Sequence, residues 1–289
     1  MSIILNSELK KYENGNMIEN LKTNWSAYLM EFFGLAGFVI GAGFLTILLE
    51  HPDLPIMKSS LGKYAVLRRV PLGIIMGGYI TGVILLFGKK SGAHINPSVT
   101  WTFFRLGKIN FTNAMFFTIA QFAGAISAAL LLKYTVGSWF GHPLINYGNT
   151  APKPPHNAMS AFTAEFIISF ILMLIVLMAG SSRRFEKYVA PVSGILIALY
   201  LIIEIPFSGM SLNPARSFAG ALAADKWNYL WIYFVSPTLA MLAAAEVFLQ
   251  WKKNQLSAKK NDYKDLSNVK YLYSDYNEIP NYPIEHKYQ

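Results

Sequence analysis

Two stretches of the chain, "SGAHINPSVT" at 91–100 and "SGMSLNPARS" at 208–217, carry Ser, Gly, Asn and Pro at the same offsets. Asn is a strong helix N-cap, and Pro is favoured at the first helical position because its missing N–H would be unpaired there anyway. Each stretch therefore predicts a loop that turns into a short helix, over about 96–105 and 213–222. Neither helix is long enough to cross a bilayer, which takes about 20 residues. One Asn-Pro pair alone is an ordinary helix start. Two matched copies, each wedged between long apolar runs, decide the fold.

Of the 289 residues, 53% are hydrophobic and 14% charged, against about a quarter charged in soluble domains. The apolar residues gather in candidate spans at roughly 26–49, 70–88, 112–132, 159–180, 189–205 and 229–250. These runs are rich in Gly and Ala, which let helix backbones approach closely in lipid. They do not alternate polar with apolar residues, as the strands of a membrane β-barrel would. The first 25 residues are polar and mixed in charge, unlike a secretory signal, and the first apolar run is too long for one.

Each Asn-Pro stretch follows the second span of its half and precedes the third. Each half also opens with a span holding one acid before an aromatic, Glu31-Phe32 and Glu165-Phe166. Three spans per repeat is an odd number, so the second copy runs through the membrane upside down. The expected fold is an all-α membrane protein of six transmembrane helices plus two half-helices in two inverted repeats, about 26–132 and 159–250. A Pro- and Gly-punctuated outer loop, 133–158, joins them. Residues 1–25 read as a cytoplasmic N-terminal tail, 26–250 as the membrane domain, and 251–289 as a flexible cytoplasmic tail holding six tyrosines. Inverted repeats place a functional site near the bilayer midplane. Irregular backbone at that depth is tolerated only where it is buried in protein or lines a cavity.

The net charge of +9 follows from lysines and arginines concentrated in the segments this topology puts inside, so it does not call for a nucleic-acid partner. The basic first outer loop departs mildly from that bias. The chain has no cysteine, which excludes disulfides, thiol chemistry and Cys-based metal sites. His51, His142 and His156 fall in outer loops and His286 in the tail, without ligand spacing, so no metal or cofactor is expected. No nucleophile–base set points to an enzyme. Asn24 and Asn110 begin glycosylation-type triplets but fall on cytoplasmic segments.

The chemistry lies in the two Asn-Pro segments. Their half-helices would aim positive dipole ends at mid-membrane, with the Asn96 and Asn213 amides donating to a passing oxygen. Such a field opposes cations and interrupts a proton wire. A lone acid in an apolar span needs a partner, so Glu31 and Glu165 are expected to accept from loop amides and brace each segment. His94 is expected in the inner vestibule in a structural or pore-lining role. Glu204, at the end of the fifth span, faces the outer headgroups or the outer mouth.

These residues resemble the aquaporin, or major intrinsic protein, family, whose signature is two Asn-Pro-Ala boxes. Here the boxes read Asn96-Pro97-Ser98 and Asn213-Pro214-Ala215, and the likeness extends over about 25–250, including "AQFAGA" at 120–125. The resemblance implies a homotetramer with one pore per subunit. It also implies a narrow outer filter at Met76, Leu201, Met210 and Arg216. Water-selective members usually carry Phe, His and a small residue or Cys at the first three positions, so only Arg216 matches. Ser217, Ala221, Tyr233 and Phe234 are nonetheless similar to the water-channel subgroup. Met76 and Met210 are long, flexible and apolar, suited either to fill the pore or to yield to a bulkier neutral solute.

The expected function is a passive channel that conducts water, with leak of small uncharged solutes, and excludes protons and ions; the alternative is a neutral-solute facilitator for glycerol, ammonia, peroxide or metalloid hydroxide that passes water poorly. A secondary transporter would need a coupling-ion site, and apart from the two bracing acids no mid-membrane carboxylate is expected near the boxes. A junctional scaffold has no distinctive support. The expected surroundings are the lipid bilayer of the plasma membrane, with multiple passes and both termini cytoplasmic.

Overall fold

A computed structural model describes residues 17–266, and all regular secondary structure among the described residues is helical. Eight helices carry the architecture: α1 (Met17–Glu50), α2 (Ala65–Phe87), α3 (Pro97–Arg105), α4 (Phe111–Gly141), α5 (Ala158–Gly180), α6 (Val189–Ile203), α7 (Pro214–Ala224) and α8 (Leu230–Leu266). All but α3 and α7 belong to segments long and apolar enough to cross a membrane. With 9 and 11 residues, α3 and α7 are the half-helices. Their boundaries follow the Asn-Pro signal: Asn96 and Asn213 are the N-caps and a proline opens each helix.

Small residues set where the long helices cross. At the α2–α6 crossing, a Cβ on Gly77 would lie 2.4 Å from Gly194 O, and one on Gly194 would lie 2.4 Å from Gly77 O. This contact joins the two repeats, since α2 belongs to the first and α6 to the second. Within the first repeat, a Cβ on Gly124 of α4 would meet Phe32 O of α1 at 2.3 Å. Nearer the start of α4 the same helix pair is pinned by a buried polar knot. There Asn24 Nδ2 and the Tyr28 hydroxyl both donate to Asn113 Oδ1, at 3.3 and 2.5 Å. In the second repeat, Ser236 of α8 donates to Phe162 O of α5 at 2.7 Å.

Several helices outrun the apolar runs that announce them. α1 begins at Met17 rather than near 26, and α4 continues to Gly141 across a break at Gly137 (φ 48°, ψ −119°). Apolar composition marks the lipid-facing length, whereas the backbone ladder continues into the polar region. The chain divides after Val247 into two compact units. In the second, helix α8 continues to Leu266, where Phe248 and Trp251 rings lie 6.0 Å apart and Gln250 donates to Asn254 at 3.1 Å. Residues 1–16 and 267–289, with His286 and most of the tail tyrosines, lie outside the described residues.

The C-terminal end of α7 is capped across the fold, with Lys133 Nζ donating to Ala223 O at 2.8 Å. A cation at a helix C-terminus meets the negative end of its dipole. The segment between α4 and α5 folds against α7. Thr150 and Ser217 share a hydroxyl contact of 2.7 Å, and Lys226 reaches Asn146 Oδ1 at 2.7 Å.

Candidate pore

Both loops leading into the half-helices have the same backbone. Gly92, Ala93 and Ile95 take φ of 85°, 49° and 40°, and Gly209, Met210 and Leu212 take 86°, 52° and 60°. Positive φ is uncommon outside glycine and a genuine outlier for β-branched Ile95, so the surroundings must impose it. A fully buried carboxylate does so in each half. Glu31 accepts from the His94 N–H at 3.0 Å, the Ile95 N–H at 2.5 Å and the Gln121 amide at 2.8 Å. Glu165 accepts from the Ser211 and Leu212 N–H groups, both at 2.7 Å, and from the Ser208 hydroxyl at 2.5 Å. Ser91 and Ser208 each accept the N–H two residues on, at 3.0 and 3.1 Å.

The caps then bind crosswise. Asn96 Oδ1 accepts from the Ser98 N–H at 2.9 Å, and Asn213 Oδ1 from the Ala215 and Arg216 N–H groups at 3.1 and 3.3 Å. Asn96 Nδ2 donates to Leu212 O, and Asn213 Nδ2 to Ile95 O, each at 2.8 Å. Each amide has two hydrogens, so one fastens the opposite loop and a second remains. Pro97 and Pro214 follow as first helical residues, and Ser98 and Ala215 are fully buried. The Ser98 hydroxyl pairs with Thr238 Oγ1 of α8 at 2.8 Å, a contact that alanine at this position would lack.

Both asparagines line a cavity of about 360 Å³ that also touches His94, Met210, Lys89 and Lys187. Lys89 follows α2 and Lys187 precedes α6, so the cavity extends from that end of the bundle to the meeting point of the half-helices. His94 is oriented by stacking on Phe103 at 4.8 Å and by a 3.1 Å contact between Nδ1 and Thr100 Oγ1.

Met76, Leu201 and Met210 are 1%, 3% and 2% exposed. The Met76 sulfur packs on α1 at Gly41, and of the three only Met210 borders the cavity. Arg216, half-buried on the first turn of α7, has no hydrogen-bond partner for its Nη1 among the described residues.

Sequence reasoning overlooked the polar groups that complete these braces. Gln121 bonds both Glu31 and Thr100 Oγ1, the latter at 3.0 Å. It is the lone amide within "AQFAGA", which was a usable signal, since a polar side chain in an apolar span needs a partner. Ser91 and Ser208 were visible as repeat positions, although their contacts were not. The Tyr233 hydroxyl, 2.5 Å from Ser208 O, had no local signal.

The fold and the cavity define an integral membrane protein of multiple passes, built from two inverted repeats around re-entrant half-helices. The sequence profile described as "Major intrinsic protein" matches residues 17–248, and the chain belongs to that family. It is 35% identical to Aquaporin NIP3-1 of Oryza sativa subsp. japonica over 58% of this chain and 53% of the relative. It is 34% identical to Aquaporin NIP2-2 of Zea mays over 68% and 65%, and 30% identical to Aquaporin PIP1-5 of Zea mays over 77% and 78%. The chain thus spans between about half and two thirds of the length of the first two relatives. Its backbone is similar to the aquaglyceroporin from Plasmodium falciparum, with a TM-score of 0.60, 21% identity, and coverage of 76% of this chain and 95% of that one. At that identity the likeness concerns the fold alone.

Proposed function

We propose that the chain forms a passive transmembrane pore that conducts water and small uncharged solutes and excludes protons and ions. The observation carrying this reading is the reciprocal pair of bonds from Asn96 to Leu212 O and from Asn213 to Ile95 O. They bring two positive half-helix ends to one point on a cavity, where a solute oxygen would meet amide donors and a cation would meet an unfavourable field. In this reading Met76, Leu201, Met210 and Arg216 form the outer filter, and Glu31, Glu165 and His94 support the pore. The pore domain is 26–250, and the tails at 1–25 and 251–289 are cytoplasmic extensions. The protein works as a homotetramer in the plasma membrane with both termini inside, and it carries out no chemical step.

A second reading, a neutral-solute facilitator that passes water poorly, is favoured by the apolar ring of Met76, Leu201 and Met210. Without a hydrogen-bonding residue at Leu201, Arg216 is the main side-chain donor at the constriction. Stopped-flow light scattering on proteoliposomes tests both. Osmotic shrinkage faster than in empty vesicles, with low activation energy, is expected, and its absence sinks the water pore. Re-swelling in inward glycerol and urea gradients distinguishes the facilitator.

A further inference from the structure

Each Asn-Pro box carries a hydroxyl four residues after its asparagine, Thr100 in the first and Ser217 in the second. Each hydroxyl meets the side chain two residues before that asparagine, His94 or Ser211. In the first box a group from the next helix completes the cluster, with Gln121 Nε2 of α4 donating to Thr100 Oγ1 at 3.0 Å. In the second box the third group comes from outside the repeat. Thr150, on the segment joining the halves, shares a 2.7 Å hydroxyl contact with Ser217, which meets the Ser211 hydroxyl at 2.5 Å. All three residues are buried, and close backbone approach on both sides holds the joining segment in place. A Cβ on Gly220 of α7 would lie 2.8 Å from Gly148 O, and one on Gly209 would lie 3.1 Å from Thr150 Cα.

Each hydroxyl donates once, which fixes the direction of this chain. Ser211 spends its hydrogen on Asn213 O at 2.9 Å. Ser217 then donates to Ser211, which leaves Thr150 to donate to Ser217. The first box is wired differently, because Thr100 itself donates to Asn96 O, four residues back, at 3.1 Å. We propose that Thr150 is a positioning residue for Asn213, holding the outer box from outside the repeat through Ser217 and Ser211. The Thr150 hydroxyl keeps Ser217 turned away from Asn213 O, so that Ser211 takes that carbonyl and ties the preceding loop to the box. Without it, Ser217 is free to bond back to Asn213 O, as serine does inside helices, and Ser211 is displaced.

Asn213 fastens the opposite loop with one amide hydrogen, through Ile95 O at 2.8 Å, and its second hydrogen remains for passing solute. A fixed donor at this point interrupts a chain of hydrogen-bonded water. When the box loosens, that donor loses its aim and the water chain closes more often. Proton leak then rises relative to water flow. The Tyr233 hydroxyl of α8 also borders Thr150, with its own hydrogen committed to Ser208 O at 2.5 Å. It is the competing acceptor for the Thr150 hydrogen.

The inference rests on the pore reading, and one set of vesicles separates the two. Proteoliposomes of full-length protein are followed for osmotic water shrinkage and, with an enclosed pH-sensitive dye, for proton leak. Thr150→Val keeps the shape and removes the hydroxyl. It is expected to raise the ratio of proton leak to water flow about tenfold, the scale of one buried hydrogen bond in a barrier. Thr150→Ser restores the hydroxyl and is expected to return the wild-type ratio. Ser217→Ala cuts the same chain at its middle and is expected to leak like Thr150→Val, with no further rise when the two are combined. A wild-type ratio in Thr150→Val overturns the proposal. So does a ratio in Thr150→Ser as high as that of Thr150→Val, which would assign the effect to packing. A full further rise on adding Thr150→Val to Ser217→Ala would route Thr150 through Tyr233 and overturn it too. Should Thr150→Val fail to assemble, a wild-type ratio in Ser217→Ala decides against the proposal and a raised one supports it. If wild-type vesicles shrink no faster than empty ones, the pore reading itself fails, and the inference with it.

Discussion

Glu31 and Glu165 do the same structural work in different electrostatic settings. Each holds two N–H groups of a positive-φ loop, but Glu31 adds the neutral Gln121 amide whereas Glu165 lies within electrostatic reach of Arg216. Replacing Glu31 by Leu orphans three buried donors at about 1–3 kcal/mol each. A large drop in thermal stability in detergent is expected for Glu31→Leu, and a smaller one for Glu31→Gln, which keeps one acceptor. Equal drops would show that the carboxylate does not brace the loop. In the proposed filter, Arg216→Val removes a fixed positive charge and is expected to raise proton leak about tenfold, as a barrier lowered by about 1.4 kcal/mol would, read with a pH-sensitive dye inside vesicles. Unchanged leak and solute flux would remove Arg216 from the filter. Met210 borders the cavity where the neighbouring side chains are packed tight. Met210→Cys is therefore expected to make water flow sensitive to mercurials, and continued resistance would place Met210 away from the conducting path.

At the scale of elements, the crossing of α2 and α6 depends on two glycines whose backbones touch. Gly77→Leu forces a side chain toward the Gly194 carbonyl, and overpacking of this kind costs about 1–3 kcal/mol. Gly78, one residue along, has open space around its Cβ position. Gly78→Leu is expected to express and melt like wild type while Gly77→Leu does not; similar behaviour of the two would refute the crossing. The half-helices were legible from sequence because capping is local: Asn followed by Pro specifies a helix start within three residues. The long helices were legible in number but less so in extent. Met17–Trp25 and the part of α8 beyond 250 are polar enough to hide their helicity from a reading based on lipid-facing apolar length.

For the molecule as a whole, the absence of cysteine leads to a direct expectation. Mercurial treatment should leave wild-type water permeability unchanged, and thiol-type block reversed by a reductant would contradict it. Composition, the matched Asn-Pro stretches and the acid opening each half were sufficient to derive six spans, two half-helices and an inverted repeat. These are local or periodic signals, and lipid restricts what such signals can mean. The tertiary structure alone decided which groups meet. Asn96 binds the loop before Asn213, Gln121 completes Glu31, and the side chains of Met76, Leu201 and Met210 are buried. Those outcomes join residues far apart along the chain and depend on helix crossings of a few ångströms, which no local pattern encodes.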